Sequence, residues 1–281
     1  MMHGRLARRL TGSAMTGVTY GAAALAILPL AVILGMLIVK GAGSIDWNFF
    51  TKSAVPVGEA GGGFAHAIVG TVIIVGLACA VGVPVGVATG IFLAEFGGGT
   101  FGFTVRFIAD VLNGVPSIVI GIFAWTWLVR PMGHFSALAG GCALGIILVP
   151  ILARTTEEMV RLVPNSLREA ALALGYPRWR TSLQVVVRTA AAGIVTGCLV
   201  AVARVAGETA PLLFTALGNQ FFSTRLKGAM AALPLQIYVY ALGPYDEWHR
   251  QAWAGALVLI VLVLALSLIA RSVIRAKRQH A

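Results

Sequence analysis

Arg204 and Glu208 stand inside an otherwise apolar stretch, Arg204-Val205-Ala206-Gly207-Glu208-Thr209-Ala210-Pro211. Sixteen residues separate Arg188 from Arg204, which is ~24 Å along a continuous helix rising 1.5 Å per residue. That places Arg204 well inside a hydrocarbon core ~30 Å thick. A guanidinium at such depth costs ~2.5–3.5 kcal/mol on insertion scales, so intramembrane ionisable residues pair with one another or line a polar pathway. Glu208 follows by one helical turn, and the spacing predicts an ion pair on one helix face. The pair is either structural or used in transport. Arginine suits a tetrahedral oxyanion, because its rigid fork donates two parallel hydrogen bonds and keeps its proton. Glu208 would then steady the guanidinium between events. A second polar group at membrane depth is Asn113-Gly114-Val115-Pro116-Ser117. Asn113 and Ser117 flank a glycine and a proline, which reads either as a plain kink or as a break lining a pathway.

A third segment carries partner chemistry rather than substrate chemistry. Ser166-Leu167-Arg168-Glu169-Ala170-Ala171-Leu172-Ala173-Leu174-Gly175-Tyr176-Pro177 is bounded at both ends by local signals. Ser166 and Glu169 have capping-box spacing, which predicts a helix starting near Leu167. Gly175 suits the left-handed position after a helix, and Pro177 forbids continuation. Leu167, Ala170, Ala171 and Leu174 fall on one face. Two turns are marginal in water, so that face docks either on the protein itself or in a groove of a partner.

The elements that must position these groups are membrane helices. The 281 residues are 58% hydrophobic and 11% charged, with a mean hydropathy of +0.90. Soluble domains carry about 25% charged residues, so this composition suits lipid as its solvent. Uncharged stretches predict six helices near 16–39, 65–94, 106–129, 135–159, 184–213 and 252–273, in a single transmembrane domain covering 1–281, with the short polar-bounded helix near 166–175. Arg5, Arg8 and Arg9 precede an uncharged run from Leu10 to Val39. That run is too long for the ~7–15 residue core of a signal peptide and predicts a retained first helix.

The 21 Lys and Arg residues set the orientation. Six (Lys40, Lys52, Arg130, Arg225, Lys227 and Arg250) fall in loops on one side. Arg204 lies within the membrane, and the remaining fourteen share the side of both termini. The positive-inside rule therefore places both termini in the cytoplasm. The opposite loops carry Trp47, Phe49, Phe50, Phe221, Phe222, Tyr238, Tyr240, Tyr245, Trp248 and Trp253, expected as an interfacial belt. Gly82, Gly86 and Gly90 form a small-residue stripe suited to close helix packing.

Several function classes lack their signatures. The net charge of +11 is spread beside apolar runs, which argues for loops at a membrane rather than nucleic-acid binding. Cys79, Cys142 and Cys198 lie far apart in apolar runs and show neither metal spacing nor a disulfide framework. His3, His66, His134, His249 and His280 are scattered, and no catalytic set recurs. There is no GxxxxGK[ST] phosphate loop, so any ATP must be bound by another subunit.

Glu169-Ala170-Ala171, three residues and Gly175 resemble the EAA loop of ATP-binding-cassette importer permeases. In that family the loop is the coupling helix seated in a cleft of the ATPase, a role falling here on Ser166, Glu169, Ala170, Ala171 and Gly175. The family's usual Leu-Pro pair is replaced by Val187-Arg188. Arg204-Val-Ala-Gly-Glu208-Thr-Ala-Pro-Leu-Leu-Phe-Thr215, Asn113-Gly-Val-Pro-Ser-Ile-Val-Ile-Gly121 and Glu247-Trp248…Ala252-Trp253-Ala254-Gly255 are similar to the A-type permeases of bacterial phosphate-specific transport systems. The resemblance covers nearly the whole chain past residue 60. It implies an all-α, six-helix type I importer fold in the bacterial inner membrane, and a substrate pathway including Arg204, Glu208, Thr209, Asn113 and Ser117. It also implies a second homologous permease as a heterodimeric partner, two cytoplasmic ATPase subunits that hold ATP and Mg2+, and an extracytoplasmic phosphate-binding protein. A sulfate or molybdate permease is the neighbouring alternative, and a solitary channel or membrane enzyme the alternative from another class.

Overall fold

A computed structural model describes residues 2–56, 59 and 61–278. Gln279 and His280 lie outside the described residues, as does Ala60, the start of one uncharged run. The main helices are α1 (Met2–Gly41), α2 (Ala65–Glu95), α3 (Gly99–Gly114), α4 (Ser117–Ala124), α5 (Ala137–Arg161), α6 (Asn165–Ala173), α7 (Val187–Val205), α8 (Ala210–Thr215), α9 (Leu233–Leu242) and α10 (Asp246–Arg278). Wider π-type turns at Trp125–Val129 and Thr181–Val186 extend α4 and precede α7. Among the described residues, five helices are long and apolar enough to cross a membrane, and six spans result if the bent α3–α4 pair counts as one.

The bundle is built around α2 and α5, and the glycine stripe explains why. A Cβ at Gly82 would stand 2.9 Å from Leu148 Cδ2, and one at Gly86 would stand 2.6 Å from Leu152 Cβ. At Gly90 the same atom would stand 2.5 Å from both Ala153 O and Thr156 Cβ. Only hydrogen at these positions lets the two backbones approach, and in lipid such close packing replaces the hydrophobic drive available in water. Leu144, Leu148 and Leu152 of α5 then join Ile74 and Ala78 of α2, Ile120 of α4, Val205 of α7 and Leu212 of α8 in one core. α1 instead presents nearly its whole apolar surface outward and rests on α10 at its end, where a Cβ on Gly41 would meet Trp253 O at 2.8 Å.

The aromatic residues near this end differ from the expected belt. Phe49, Phe64 and Tyr240 are buried. Phe49 stacks on Phe64 at 5.0 Å, Phe64 meets Tyr240 edge-on at 5.4 Å, and Tyr240 stacks on Trp248 at 4.7 Å. These rings form a satellite core that fixes the Trp47–Thr51 turn and α9 onto α2 and α10. Trp47, Phe50, Phe221, Phe222, Tyr238 and Tyr245 remain exposed.

The segment from 216 to 232 closes the start of α5. The free N–H groups at a helix start need acceptors. Here Ser136, Ala137 and Leu138 donate to the carbonyls of Thr215, Gly228 and Leu226, each at 3.0 Å. Ser136 Oγ takes the next donor, Ala139 N, at 3.1 Å.

Two expected spans are interrupted. The one expected over 106–129 begins at Gly99 and breaks between Gly114 and Ser117, where its halves meet at 102°. Pro116 lacks an N–H, and it forces Val115 into an extended conformation with φ −71° and ψ 129°. The one expected over 184–213 ends at Val205, and α8 resumes at Ala210.

Candidate functional site

The α7–α8 break determines what Arg204 and Glu208 can do. Pro211 has no N–H to offer the Gly207 carbonyl, and its ring would clash there in a continuous helix. The chain therefore leaves the helix through tight turns, with Gly207 N donating to Arg204 O at 3.2 Å and Glu208 N to Val205 O at 3.1 Å. The carbonyl of Thr209 accepts Leu212 N at 3.1 Å and Leu213 N at 3.2 Å, which starts α8. Arg204 ends up exposed in the last turn of α7, while Glu208 is half-buried in the connection. The expected ion pair is corrected, because it required one uninterrupted helix. Among the described residues neither side chain has an ion pair or hydrogen bond.

Arg204 stands at the end of a groove of about 440 Å³ between α5 and α7, also lined by Thr155, Met159, Thr196, Gly197 and Val200. The groove floor is tight, since a Cβ at Gly197 would meet Thr155 Cγ2 at 2.4 Å. Thr155 and Thr196 donate their hydroxyls to Ile151 O and Ala192 O, both at 2.8 Å. The groove therefore offers one cation whose five N–H donors are uncommitted.

The second break comes close to the first through packing rather than through side-chain bonds. α4, which starts at Ser117, lies on α8, and a Cβ at Gly121 would stand 2.8 Å from Pro211 Cα. Asn113 is exposed, its amide nitrogen 3.5 Å from Pro150 O, and Ser117 is half-buried. The fold thus packs together the two interrupted helices that carry the predicted polar residues. Among the described residues no hydrogen bond or ion pair joins Asn113 or Ser117 to Arg204, Glu208 or Thr209.

The short helix α6 forms where expected, with its start corrected. It begins at Asn165, one turn of chain after α5, with Pro164 at the cap position and no side-chain cap bond. Leu167 N already bonds Pro164 O at 3.2 Å, so Ser166 lies inside the first turn and cannot cap it. The far end follows the local chemistry. Gly175 has φ +82°, Tyr176 N bonds Ala171 O at 3.2 Å and Gly175 N bonds Leu172 O at 3.0 Å, which is the Schellman arrangement. The apolar face is divided: Ala171 is buried against the bundle, whereas Leu167, Leu174 and the adjacent Leu172 are exposed. Glu169 and Ala170 are exposed too.

Sequence reasoning missed the charged node at this end. Glu157, 1% exposed, receives Arg106 Nε at 2.6 Å, Arg161 Nη2 at 2.6 Å and Arg154 Nη1 at 3.2 Å, and Arg154 also meets Asp110 at 3.4 Å. The spacing Arg154-x-x-Glu157-x-x-x-Arg161 was a readable signal. Arg106, fifty-one residues away, left none.

Comparison with known proteins gives consistent matches. The family model for the binding-protein-dependent transport system inner membrane component matches residues 86–279. The phosphate transport system permease protein PstA of Xylella fastidiosa (strain Temecula1) is 48% identical over 269 residues, covering 95% of this chain and 93% of that protein. Its namesake from Yersinia pestis is 47% identical over 249 residues, covering 88% and 84%. PstA 1 of Mycobacterium tuberculosis (strain CDC 1551) is 36% identical over 271 residues, covering 94% and 89%. Among solved structures, a chain of the inward-facing MetNI methionine ABC transporter superposes with a TM-score of 0.62 at 18% identity, over 76% of this chain and 95% of that one. That likeness concerns the fold.

Proposed function

The chain belongs to the family of binding-protein-dependent transport system inner membrane components, and from that premise we propose that it is the permease subunit of an ATP-driven phosphate importer. The observation that carries the substrate is the near full-length similarity to phosphate transport system permeases. The alternatives, a sulfate or molybdate permease and a solitary channel or enzyme, draw no support from any of these relatives. As a multi-pass membrane protein of such a system, the chain works with an ATPase and a substrate-binding protein.

Arg204, Glu208 and Thr209, with Asn113 and Ser117 across the α4–α8 contact, form this chain's half of the substrate pathway. An unpaired guanidinium facing lipid would be expensive, which supports a second, homologous permease covering the α5–α7 groove. Phosphate then meets Arg204 as a planar fork of donors in a closed, partly dehydrated space, where a charge-assisted bidentate contact is strongest. Glu208, free in the connection beside it, supplies the counter-charge that returns the guanidinium to rest after release. On the other side of the membrane, α6 with Glu169, Ala170 and Gly175 docks in the ATPase, and two such ATPases hydrolyse ATP with Mg2+. Both termini face the cytoplasm in this reading.

The test is transport by the complex reconstituted with its ATPase, companion permease and binding protein. Labelled phosphate should enter vesicles only with ATP, and excess sulfate should not compete. Equal competition by sulfate would overturn the substrate assignment.

A further inference from the structure

Arg168 of α6 reaches three elements at once, and all five of its N–H donors are placed. Its Nε and Nη2 both meet Glu95 Oε1, at 3.1 and 2.8 Å. Nη2 also donates to Val160 O at 3.0 Å, and Nη1 donates to Val163 O and to Asn165 Oδ1. A guanidinium has five such hydrogens, so none is left for another partner. Both side chains of the pair are largely buried, Arg168 at 19% and Glu95 at 11% exposed. This one side chain thus joins the start of α6 to the last residue of α2 and to the end of α5.

The end of α2 is held a second time. Arg106 of α3 donates to Leu93 O at 2.6 Å and to Gly97 O at 3.0 Å, while its Nε lies on Glu157 of α5. The end of α2 is therefore a junction where α6 and α3 are both fastened. Beyond it, the glycine stripe joins α2 rigidly to α5, and α3 runs to the break at Val115-Pro116. Apart from the Arg168 link, this nine-residue helix is held by the connection 162–164, by its buried Ala171 and by packing on the Thr181–Val186 turn, and Arg168 is what bonds it to α2.

We infer that Arg168 and Glu95 are positioning residues for transport: they make α6 and the α2–α5 pair move as one body. A displacement of α6 is thereby delivered through the end of α2 and Arg106 to α3 and the break beyond it. The inference rests on reading α6 as the ATPase-docking helix.

The test uses the complete complex in proteoliposomes and reads phosphate imported per ATP hydrolysed. Glu95→Ala removes the link to α2 but keeps Arg168 on the Val160 and Val163 carbonyls. The complex should assemble and hydrolyse ATP within about twofold of the unaltered rate, while phosphate per ATP falls about tenfold, a usual size for coupling between sites. Glu95→Asp, which keeps the charge, should recover most of the ratio. An unchanged ratio in Glu95→Ala would overturn the inference. So would loss of the assembled complex in both Glu95→Ala and Glu95→Gln, since the contact would then hold only the fold. Failure of the unaltered complex to import phosphate is read separately, in its own arm, and removes the functional reading together with the inference.

Discussion

Glu157 of α5 accepts a 2.6 Å hydrogen bond from Nε of Arg106 on α3, and two further arginines of its own helix bond the same carboxylate. Neutralising it leaves three cations facing one another with only the half-exposed Asp110, beside Arg154, as counter-charge. Breaking a buried ion pair from one side costs ~3–5 kcal/mol. Arg154 and Arg161 are about half exposed, so Glu157→Gln should fall at the low end, about 3 kcal/mol. Glu158→Gln, exposed beside it, should be near neutral. Thermal unfolding in detergent, followed by tryptophan fluorescence, compares the two, and equal midpoints would refute the node.

The helix pair α2–α5 yields a contrast within one element. Gly86→Ala places a methyl 2.6 Å from Leu152 Cβ and 2.9 Å from Val149 O. Overpacking against backbone should destabilise by about 1–3 kcal/mol. Gly76, on the same helix, has nothing within 4 Å of such a methyl. Gly76→Ala should be neutral or gain about 0.5–1 kcal/mol from helix propensity. Opposite signs in unfolding midpoint are the expected reading.

Gly175→Val forces a β-branched residue into φ +82°. There is space for the side chain, so the fault is purely conformational, of order 1–3 kcal/mol, and the last turn of α6 should reorganise. Membrane insertion should be normal while co-purification of the ATPase falls severalfold. Wild-type recovery of the ATPase would show that this turn does not govern docking.

Among the described residues Arg204 has no ion pair or hydrogen bond to lose, so Arg204→Gln and Arg204→Lys should both fold and assemble normally. Transport should fail in the first and drop strongly in the second, because an ammonium lacks the bidentate fork. Pairing Arg204→Gln with Glu208→Gln should not restore uptake. A double mutant importing phosphate at the normal rate would return Arg204 and Glu208 to a purely structural role.

The orientation is tested with single cysteines at Ser223 and Gln279, in a background where Cys79, Cys142 and Cys198 are replaced. An impermeant thiol reagent added to intact cells should label position 223 and spare position 279. The reverse pattern would invert the topology.

The sequence made the spans legible because transfer to lipid depends on composition, and composition is local. It made α6 legible at its glycine end, where a single residue type fits a single conformation. At the other end, Pro164 and the five bonds of Arg168 overrode the Ser166–Glu169 spacing, and those bonds reach residues far along the chain. The break at Val205 left a cue in Gly207 and Pro211, but apolar residues continue through it and mask the interruption. The buried rings Phe49, Phe64 and Tyr240 sit in segments without helical or strand period, where nothing local separates a core ring from one at the lipid surface. Arg106 could be assigned to Glu157 only in three dimensions.

The way α5 begins has a consequence for how this protein can vary. Its first donors are met by the main-chain carbonyls of residues 215, 226 and 228, and a carbonyl is the same whatever side chain it carries. The loop that supplies them is therefore free in its spelling but fixed in its length. Substitutions at Leu226 should be absorbed, whereas a single deletion between 219 and 225 would pull two acceptors out of register together.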